Sequence, residues 1–177
     1  MITLSQIRGH RNSAVKSDEG TVELQNLFAQ IRRERHPPYL TEKDFDKVLL
    51  WKLGGQYWRS HALRGANTDE IIRAVTGLAL TITHPDKDYE MELRVGVLCT
   101  LRGVGVPVAS TVLSFAYPEE YAVIDFRSWR QVFPDKQPMF SIQGYKNYMR
   151  EIRRLARKLG WTAQETDWAI WEHDKTS

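Results

Sequence analysis

The 177-residue sequence predicts an all-α fold, a compact bundle of several helices. Apolar residues follow helical spacing in one segment after another, most clearly over residues 144–159. Residues typical of helix starts and stops separate these segments. Alternation of apolar and polar residues, which is typical of strands, never lasts more than a few positions.

The first 20 residues are polar and irregular and carry charges of both signs, so they predict a flexible N-terminal arm. Residues 21–177 are expected to form a single all-helical domain, because a chain of this length can bury one sizeable core.

The first two predicted helices have clear boundaries. A helix from Val22 to about Arg35 should stop at His36-Pro37-Pro38, because a residue that precedes proline avoids the helical region. Thr41 should open the second helix, whose acidic first turn suits the positive end of the helix dipole. Gly54-Gly55 should end it.

The middle of the chain predicts two more helices. Asn67-Thr68 should cap a helix that His84-Pro85 closes, and the apolar spacing over residues 89–101 predicts the next. Pro107 suits the first position of the following helix, because its nitrogen carries no hydrogen to leave unpaired. Asp125 stands where the N-cap of a short helix would be.

The last two helices are an amphipathic one over residues 144–159, ended by Gly160, and one that opens with the capping-box pattern Thr162-x-x-Glu165. One face of the amphipathic helix is strongly basic and could follow phosphates, or could simply be a solvated surface. Its basic residues are Lys146, Arg150, Arg153, Arg154, Arg157 and Lys158.

A glycine-rich turn, Gly103-Val104-Gly105, separates the helix over residues 89–101 from the one that begins near Pro107. Glycine permits positive φ angles and close approach of another backbone. Bare peptide N–H groups at a helix N-terminus favour an anion such as phosphate. The alternative interpretation is a helix–helix turn that needs glycine only for its backbone angles.

This segment resembles the helix-hairpin-helix DNA glycosylase superfamily. The matching residues are Leu101, Gly103, Val104, Gly105, Ala109 and Asp125. The close match extends over residues 101–129 and predicts a helix-hairpin-helix motif at about residues 89–117. The N-terminal half and the ending TDWAIWEHD also resemble a small uncharacterised bacterial branch of that superfamily.

The resemblance implies that the hairpin grips the backbone of double-stranded DNA and that Asp125 is catalytic. In that family the aspartate stabilises positive charge on the sugar, or activates water, while the glycosidic bond of a flipped-out base breaks. Members that also cleave the strand carry lysine where this chain has Pro107, so a monofunctional glycosylase is implied. The expected DNA-binding residues are Arg102, Gly103, Val104, Gly105, Val106, Arg127, Arg150 and Arg154.

Residues near the middle of the chain are candidates for the base pocket, namely Lys52, Trp58, Arg59 and His61. The alternative for the three charged or polar residues is a solvated or paired position on the surface. Tyr57, Trp58 and Trp51 are candidates for stacking on an extruded base, and the alternative for the tryptophans is burial in the core. Burial in the core is the expected fate of Trp129, Trp168 and Trp171.

Composition limits the remaining possibilities. The formal net charge is only +3, and no apolar run approaches the roughly 20 residues that cross a bilayer. The first residues lack the apolar block of a signal peptide, so a cytoplasmic protein without membrane contact is predicted. Cys99 is the only cysteine and is expected in the core, which excludes a four-cysteine iron–sulfur cluster.

Scattered histidines predict no metal centre, and no cofactor is expected apart from a monovalent cation at the hairpin, which the resemblance allows. The oligomeric state is left open, with a monomer favoured. The alternative function is a non-catalytic helix-hairpin-helix module that binds DNA or another protein.

Overall fold

The computed structural model describes residues 1–11 and 19–177, and the described residues form ten α-helices and one 3₁₀ segment, with no strand among them. The all-α prediction is confirmed. The helices are α1 (Leu4–Gly9), α2 (Glu19–Glu34), α3 (Glu42–Leu53), α4 (His61–Arg64), α5 (Asp69–Thr81), α6 (Lys87–Leu98), α7 (Val106–Ala116), α8 (Phe126–Val132), α9 (Ile142–Leu159) and α10 (Ala163–Thr176), and the 3₁₀ segment is Gly54–Ser60.

Local capping chemistry sets several of the predicted helix ends. Thr162 forms the predicted capping box at the start of α10. Thr41 opens α3 as predicted, and it does so through a capping box with Asp44. Gly54 and Gly160 end α3 and α9 with positive φ angles of 49° and 70°. Each of these boundaries depends on a few neighbouring residues, so it could be predicted from the sequence.

The core is organised around α7. Every residue of this helix except Pro107 is buried, and α2, α3, α6 and α10 all pack against it. An apolar helix surrounded in this way needs no polar face. The helices in the described part of the chain all lack the combination of length and apolar character that crossing a membrane requires.

The amphipathic helix α9 buries the face that its spacing predicted. Tyr145, Tyr148, Met149 and Ile152 are fully buried in the shared hydrophobic cluster. Gly144 lies in the first turn of this helix, where a Cβ atom would overlap the backbone carbonyl of Met139. The glycine is therefore required by close packing of the preceding loop.

Residues 1–11 of the predicted N-terminal arm contain a short helix, α1, and the flexibility of the arm stays a prediction. Thr3 forms a capping box at the start of α1, which packs against α9 and α10. Ile2 and Ile7 are buried. Two apolar residues among polar ones are too few to show a helical period, so the packing of α1 could not be predicted from the sequence. Positions 12–18 of the predicted arm lie outside the described residues, and α2 begins at Glu19.

Smaller differences concern single residues. Helix α7 begins at Val106, so Pro107 occupies its second position and not its first. The prediction that Cys99 is a core residue is wrong, because Cys99 is half-buried at the C-terminal end of α6. A cysteine within an apolar run need not point inward when the helix ends there.

Candidate functional site

The turn between α6 and α7 contains two glycines with different roles, Gly103 and Gly105. Gly103 has a φ angle of +74°, in the left-handed region that favours glycine. Gly105 has an ordinary φ of −109°, and a Cβ atom there would meet only the Pro107 Cδ atom, at 3.7 Å. The fold therefore requires glycine at position 103 but tolerates a side chain at position 105.

Residues 102–106, which we call the glycine turn, contain three unpaired backbone amides. Among the described residues, the N–H groups of Gly103, Gly105 and Val106 have no hydrogen-bond acceptor, and no side chain caps α7. Arg102 and both glycines are exposed, whereas Val104 and Val106 are buried and anchor the turn. Whether the α6–α7 pair is a helix-hairpin-helix motif stays a prediction.

Asn67 holds the glycine turn in place. Its side chain is buried, its Nδ2 atom donates to the Arg102 carbonyl at 2.9 Å, and its Oδ1 atom accepts the Arg102 N–H at 3.0 Å. The sequence assigned this asparagine to a helix cap, a role that Thr68 alone performs by accepting the Ile71 N–H. A contact between residues so distant in sequence leaves no local signal.

Asp125 is the N-cap of α8, as its position in the sequence predicted. Its Oδ1 atom accepts the N–H groups of Arg127 at 2.8 Å and Ser128 at 3.0 Å. The Oδ2 atom receives no hydrogen bond from the described residues, and the side chain is half-buried. The cap fixes the carboxylate at the positive end of a helix, where a negative charge is favoured.

An extended segment, residues 121–125, carries this carboxylate across α7. The Ile124 N–H donates to the Ser110 Oγ atom at 3.1 Å, and the Tyr145 hydroxyl donates to the Ala122 carbonyl at 2.8 Å. Ser110 lies four residues after Val106, a rise of roughly 6 Å along the helix. The segment that carries Asp125 therefore crosses α7 about one helical turn beyond the glycine turn.

Lys52, at the end of α3, reaches the same region. Its Nζ atom donates to the carbonyl of Ile124, the residue before Asp125, at 3.1 Å. Burial lowers the pKa of Lys52, while the carboxylates of Asp125 and Asp167 act to raise it. Of the four predicted pocket residues, Lys52 is thus the one that the structure places near Asp125. It hydrogen-bonds the preceding residue, and it interacts electrostatically with the Asp125 carboxylate.

A second carboxyl group lies behind Asp125 and was missed by the sequence analysis. Asp167 is 2% exposed, accepts the Val123 N–H at 3.1 Å and is hydrogen-bonded by the Tyr148 hydroxyl. Burial raises the pKa of Asp167 to about 7, the Tyr148 hydrogen bond opposes that rise, and the Asp125 charge adds to it. Asp167 follows Ala163 by four residues and precedes Ile170 by three, so it shares the buried face of α10 with them. This spacing could have indicated from the sequence that Asp167 is buried.

The other predicted pocket residues lie on the exposed surface that follows Lys52. Trp58, Arg59 and His61 are all exposed. Tyr57 is half-buried and donates its hydroxyl hydrogen to Asp46, while the half-buried Trp51 donates its Nε1 hydrogen to Thr21 at 2.9 Å. Tyr57 and Trp51, two of the three aromatic candidates for base stacking, are therefore held by other contacts of the fold.

The tryptophans that were expected in the core differ from one another. Trp129 is buried, which confirms the prediction for that residue. Trp168 and Trp171 are half-buried, so the prediction of core burial is wrong for them, although Trp168 packs against the hydrophobic cluster.

The basic face of α9 does not continue from the glycine turn. Lys146 pairs with Glu92, and Arg150 pairs with Asp88 at 2.7 Å, so α9 runs antiparallel to α6. Asp88 lies in the first turn of α6, roughly 15 Å of helix away from the glycine turn. Arg154 pairs with Glu151 at 2.5 Å. The basic face of α9 therefore extends away from the glycine turn, and acidic side chains neutralise much of its charge.

Arg127 is also engaged within the protein. Its Nη1 atom lies 3.3 Å from the Asp174 Oδ2 atom, and Arg130 pairs with the same buried carboxylate. Burial alone would raise the pKa of Asp174, but hydrogen bonds from Arg130, Gln131 and Arg127 lower it. These contacts tie α8 to α10.

Two of the histidines that looked scattered in sequence meet in the fold. His10 and His173 lie with ring nitrogens 3.3 Å apart. The described residues contain no group of three or more histidine, cysteine, aspartate or glutamate side chains arranged to hold a metal ion.

Comparison of the chain with protein-family models, with curated proteins and with solved structures finds no significant match. The resemblance noted in the sequence therefore rests on its own residues.

Proposed function

We propose that the protein binds double-stranded DNA through the glycine turn and acts as a monofunctional DNA glycosylase at Asp125. The observation that supports this most is that the half-buried Asp125 follows Ile124, which is hydrogen-bonded to Lys52 and to Ser110. Ser110 lies about one helical turn along α7 from the unpaired amides of the glycine turn. Access to DNA fits the cytoplasmic location that the sequence predicts.

The glycine turn would hold a backbone phosphate. Unpaired amides of Gly103, Gly105 and Val106 lie at the N-terminus of α7, where the helix dipole favours an anion. The exposed Arg102 has no carboxylate partner among the described residues. Contacts of this kind position a protein on DNA without reading its sequence.

Asp125 would act on the sugar of an extruded nucleotide. Cleavage of an N-glycosidic bond develops positive charge on the sugar, and a fixed carboxylate close to the anomeric carbon stabilises that charge or activates a water. Because only Oδ1 is used by the helix cap, Oδ2 is left to face a substrate. Pro107, which has no amine, excludes an imine intermediate at the position where strand-cleaving relatives carry lysine.

A substitution at Gly105 tests the DNA-binding part of the proposal. Gly105→Glu adds bulk and negative charge at an exposed position that tolerates a Cβ atom, so the fold should persist. We expect duplex affinity to fall at least about tenfold, because a phosphate contact is replaced by repulsion. Gly9→Glu, at an exposed glycine of α1 with open space around it, is the matched control. Equal affinity of both variants would contradict phosphate binding at the turn.

A substitution at Asp125 tests catalysis without disturbing the helix. Asparagine caps a helix about as well as aspartate, so Asp125→Asn removes the charge and keeps α8 capped. The assay is single-turnover base release from duplexes that carry alkylated, deaminated or oxidised bases. We expect release of at least one class by the wild type and a loss of about 10²-fold or more in the variant. Release unchanged in Asp125→Asn would contradict the assignment.

The second candidate is a non-catalytic module, and two observations favour it. The hydrogen bonds of Asp125 come only from its own helix among the described residues, and the α9 arginines pair with acidic side chains. This function predicts hairpin-dependent binding that is equal for intact DNA and for DNA with an abasic-site analogue. If the partner is a protein, duplex binding is absent even at low salt.

A further inference from the structure

The segment between α3 and α5 carries an unusually exposed tryptophan. Trp58, in the 3₁₀ segment Gly54–Ser60, is 70% exposed, although tryptophan is highly buried on average. Leu63, on the adjacent α4, is 60% exposed. Two large apolar side chains of this segment are therefore open to solvent.

Looseness of the chain does not account for this exposure, because the neighbouring residues are anchored. Arg64 is buried, donates to the Tyr57 carbonyl at 2.6 Å and lies over the Tyr57 ring at 4.3 Å. Tyr57 in turn hydrogen-bonds Asp46 and packs against the hydrophobic cluster. The segment is held from both sides while Trp58 points to solvent.

The ends of this segment meet the two parts of the candidate site. It follows Lys52, which is hydrogen-bonded next to Asp125, and it leads into Asn67, which holds the backbone of Arg102. Trp58 therefore lies in the segment that joins Lys52, bonded next to Asp125, to Asn67, bonded to the glycine turn.

Charge on this part of the surface suits a polyanion. No aspartate or glutamate occurs in residues 47–68 or in residues 93–118, the two stretches that the Asn67–Arg102 contact joins. Arg59 lies 5.8 Å from the Trp58 ring centre, is exposed and has no carboxylate partner among the described residues. An aromatic ring beside an exposed arginine is a usual composition of a surface on which nucleobases stack.

We propose that Trp58 is the side chain that stacks on the bases of bound DNA and fills the gap left when a nucleotide is extruded. The inference rests on the proposed function, because it requires DNA held at the glycine turn. Apolar and aromatic wedges inserted between base steps unstack a duplex in this way. Trp58 is thereby assigned as a positioning residue and not a catalytic one.

The experiment compares wild type, Trp58→Ala, Trp58→Phe and Tyr89→Ala. Tyr89 is a half-exposed aromatic residue in the first turn of α6, at the end away from the glycine turn, and so is the matched control. Affinity is measured for a short intact duplex and for the same duplex with a central abasic-site analogue. A third duplex carries 2-aminopurine, whose fluorescence rises when the base is unstacked.

We expect the wild type to prefer the abasic duplex and to raise 2-aminopurine fluorescence. Trp58→Ala should weaken abasic-duplex binding about tenfold or more, which is the usual contribution of one base–aromatic stack, and should abolish the fluorescence rise. Trp58→Phe should restore most of both signals, and Tyr89→Ala should behave as wild type. Wild-type signals in Trp58→Ala would overturn this inference and leave DNA binding intact. Failure of the wild type to bind any duplex would overturn the proposed function and the inference together.

Discussion

The side-chain amide of Asn67 hydrogen-bonds both the N–H and the carbonyl of Arg102, across 35 residues of sequence. This contact fixes the glycine turn against the start of α5. The turn therefore presents its unpaired amides from a rigid position, and binding DNA there would require little ordering of the chain.

Replacing Asn67 should loosen the turn. Asn67→Ala removes both hydrogen bonds to Arg102 in a buried setting, so we expect the free energy of unfolding to fall by about 1–3 kcal/mol. Hydrogen exchange of the Arg102 amide should accelerate far more than that of core helices. Thr68→Ala is the matched control, because it removes the α5 cap at a cost of about 1 kcal/mol and leaves the turn contact in place. Equal exchange at Arg102 in both variants would show that Asn67 does not hold the turn.

A pair of glycine substitutions tests the packing of α9 against the loop before it. Gly144→Ala places a Cβ atom against the Met139 carbonyl, and we expect destabilisation of about 1–3 kcal/mol or more. Gly96→Ala, in the middle of α6, meets only the Ile142 Cδ1 atom at 3.9 Å and should stabilise by up to about 1 kcal/mol. Urea unfolding of the two variants measures both changes, and the same sign for both would contradict the described packing.

Asp167 should make stability depend on pH. Its pKa is about 7 in the folded protein and about 3.9 when unfolded, so between these values the folded state holds one more proton. Stability from this group is therefore greatest below about pH 4 and falls by about 1.4 kcal/mol per pH unit up to about pH 7. Urea unfolding between about pH 5 and 7 should show this fall in the wild type and a flatter profile in Asp167→Asn. Parallel profiles would contradict the raised pKa.

Local signals were sufficient for much of the fold. The capping box at Thr162, the glycine at position 160 and the apolar spacing of α9 each depend on residues a few positions apart, and all appear in the structure as expected. The role of Asp125 as an N-cap was predictable for the same reason.

Tertiary contacts account for what the sequence did not reveal. Asn67 and Lys52 reach the site through hydrogen bonds to backbone groups. Every residue carries such groups, so the side chains at the acceptor positions give no sign of these bonds in the sequence. Arg150 looked like a free cation because its acidic partner, Asp88, lies on another helix. Arg154 pairs with Glu151, which lies three residues earlier on the same face of α9. The docking of α1 depends on a surface built by helices at the other end of the chain.

The most direct test of the account is the salt dependence of duplex binding by the wild type and Arg102→Ala. Arg102 is exposed at the glycine turn, and its side chain makes no hydrogen bond to the described residues. We predict that the logarithm of the affinity falls linearly with the logarithm of salt concentration, and that the slope is smaller by about one in the variant. A wild type that does not bind duplex at low salt, or a slope unchanged by the substitution, would contradict phosphate binding at the glycine turn.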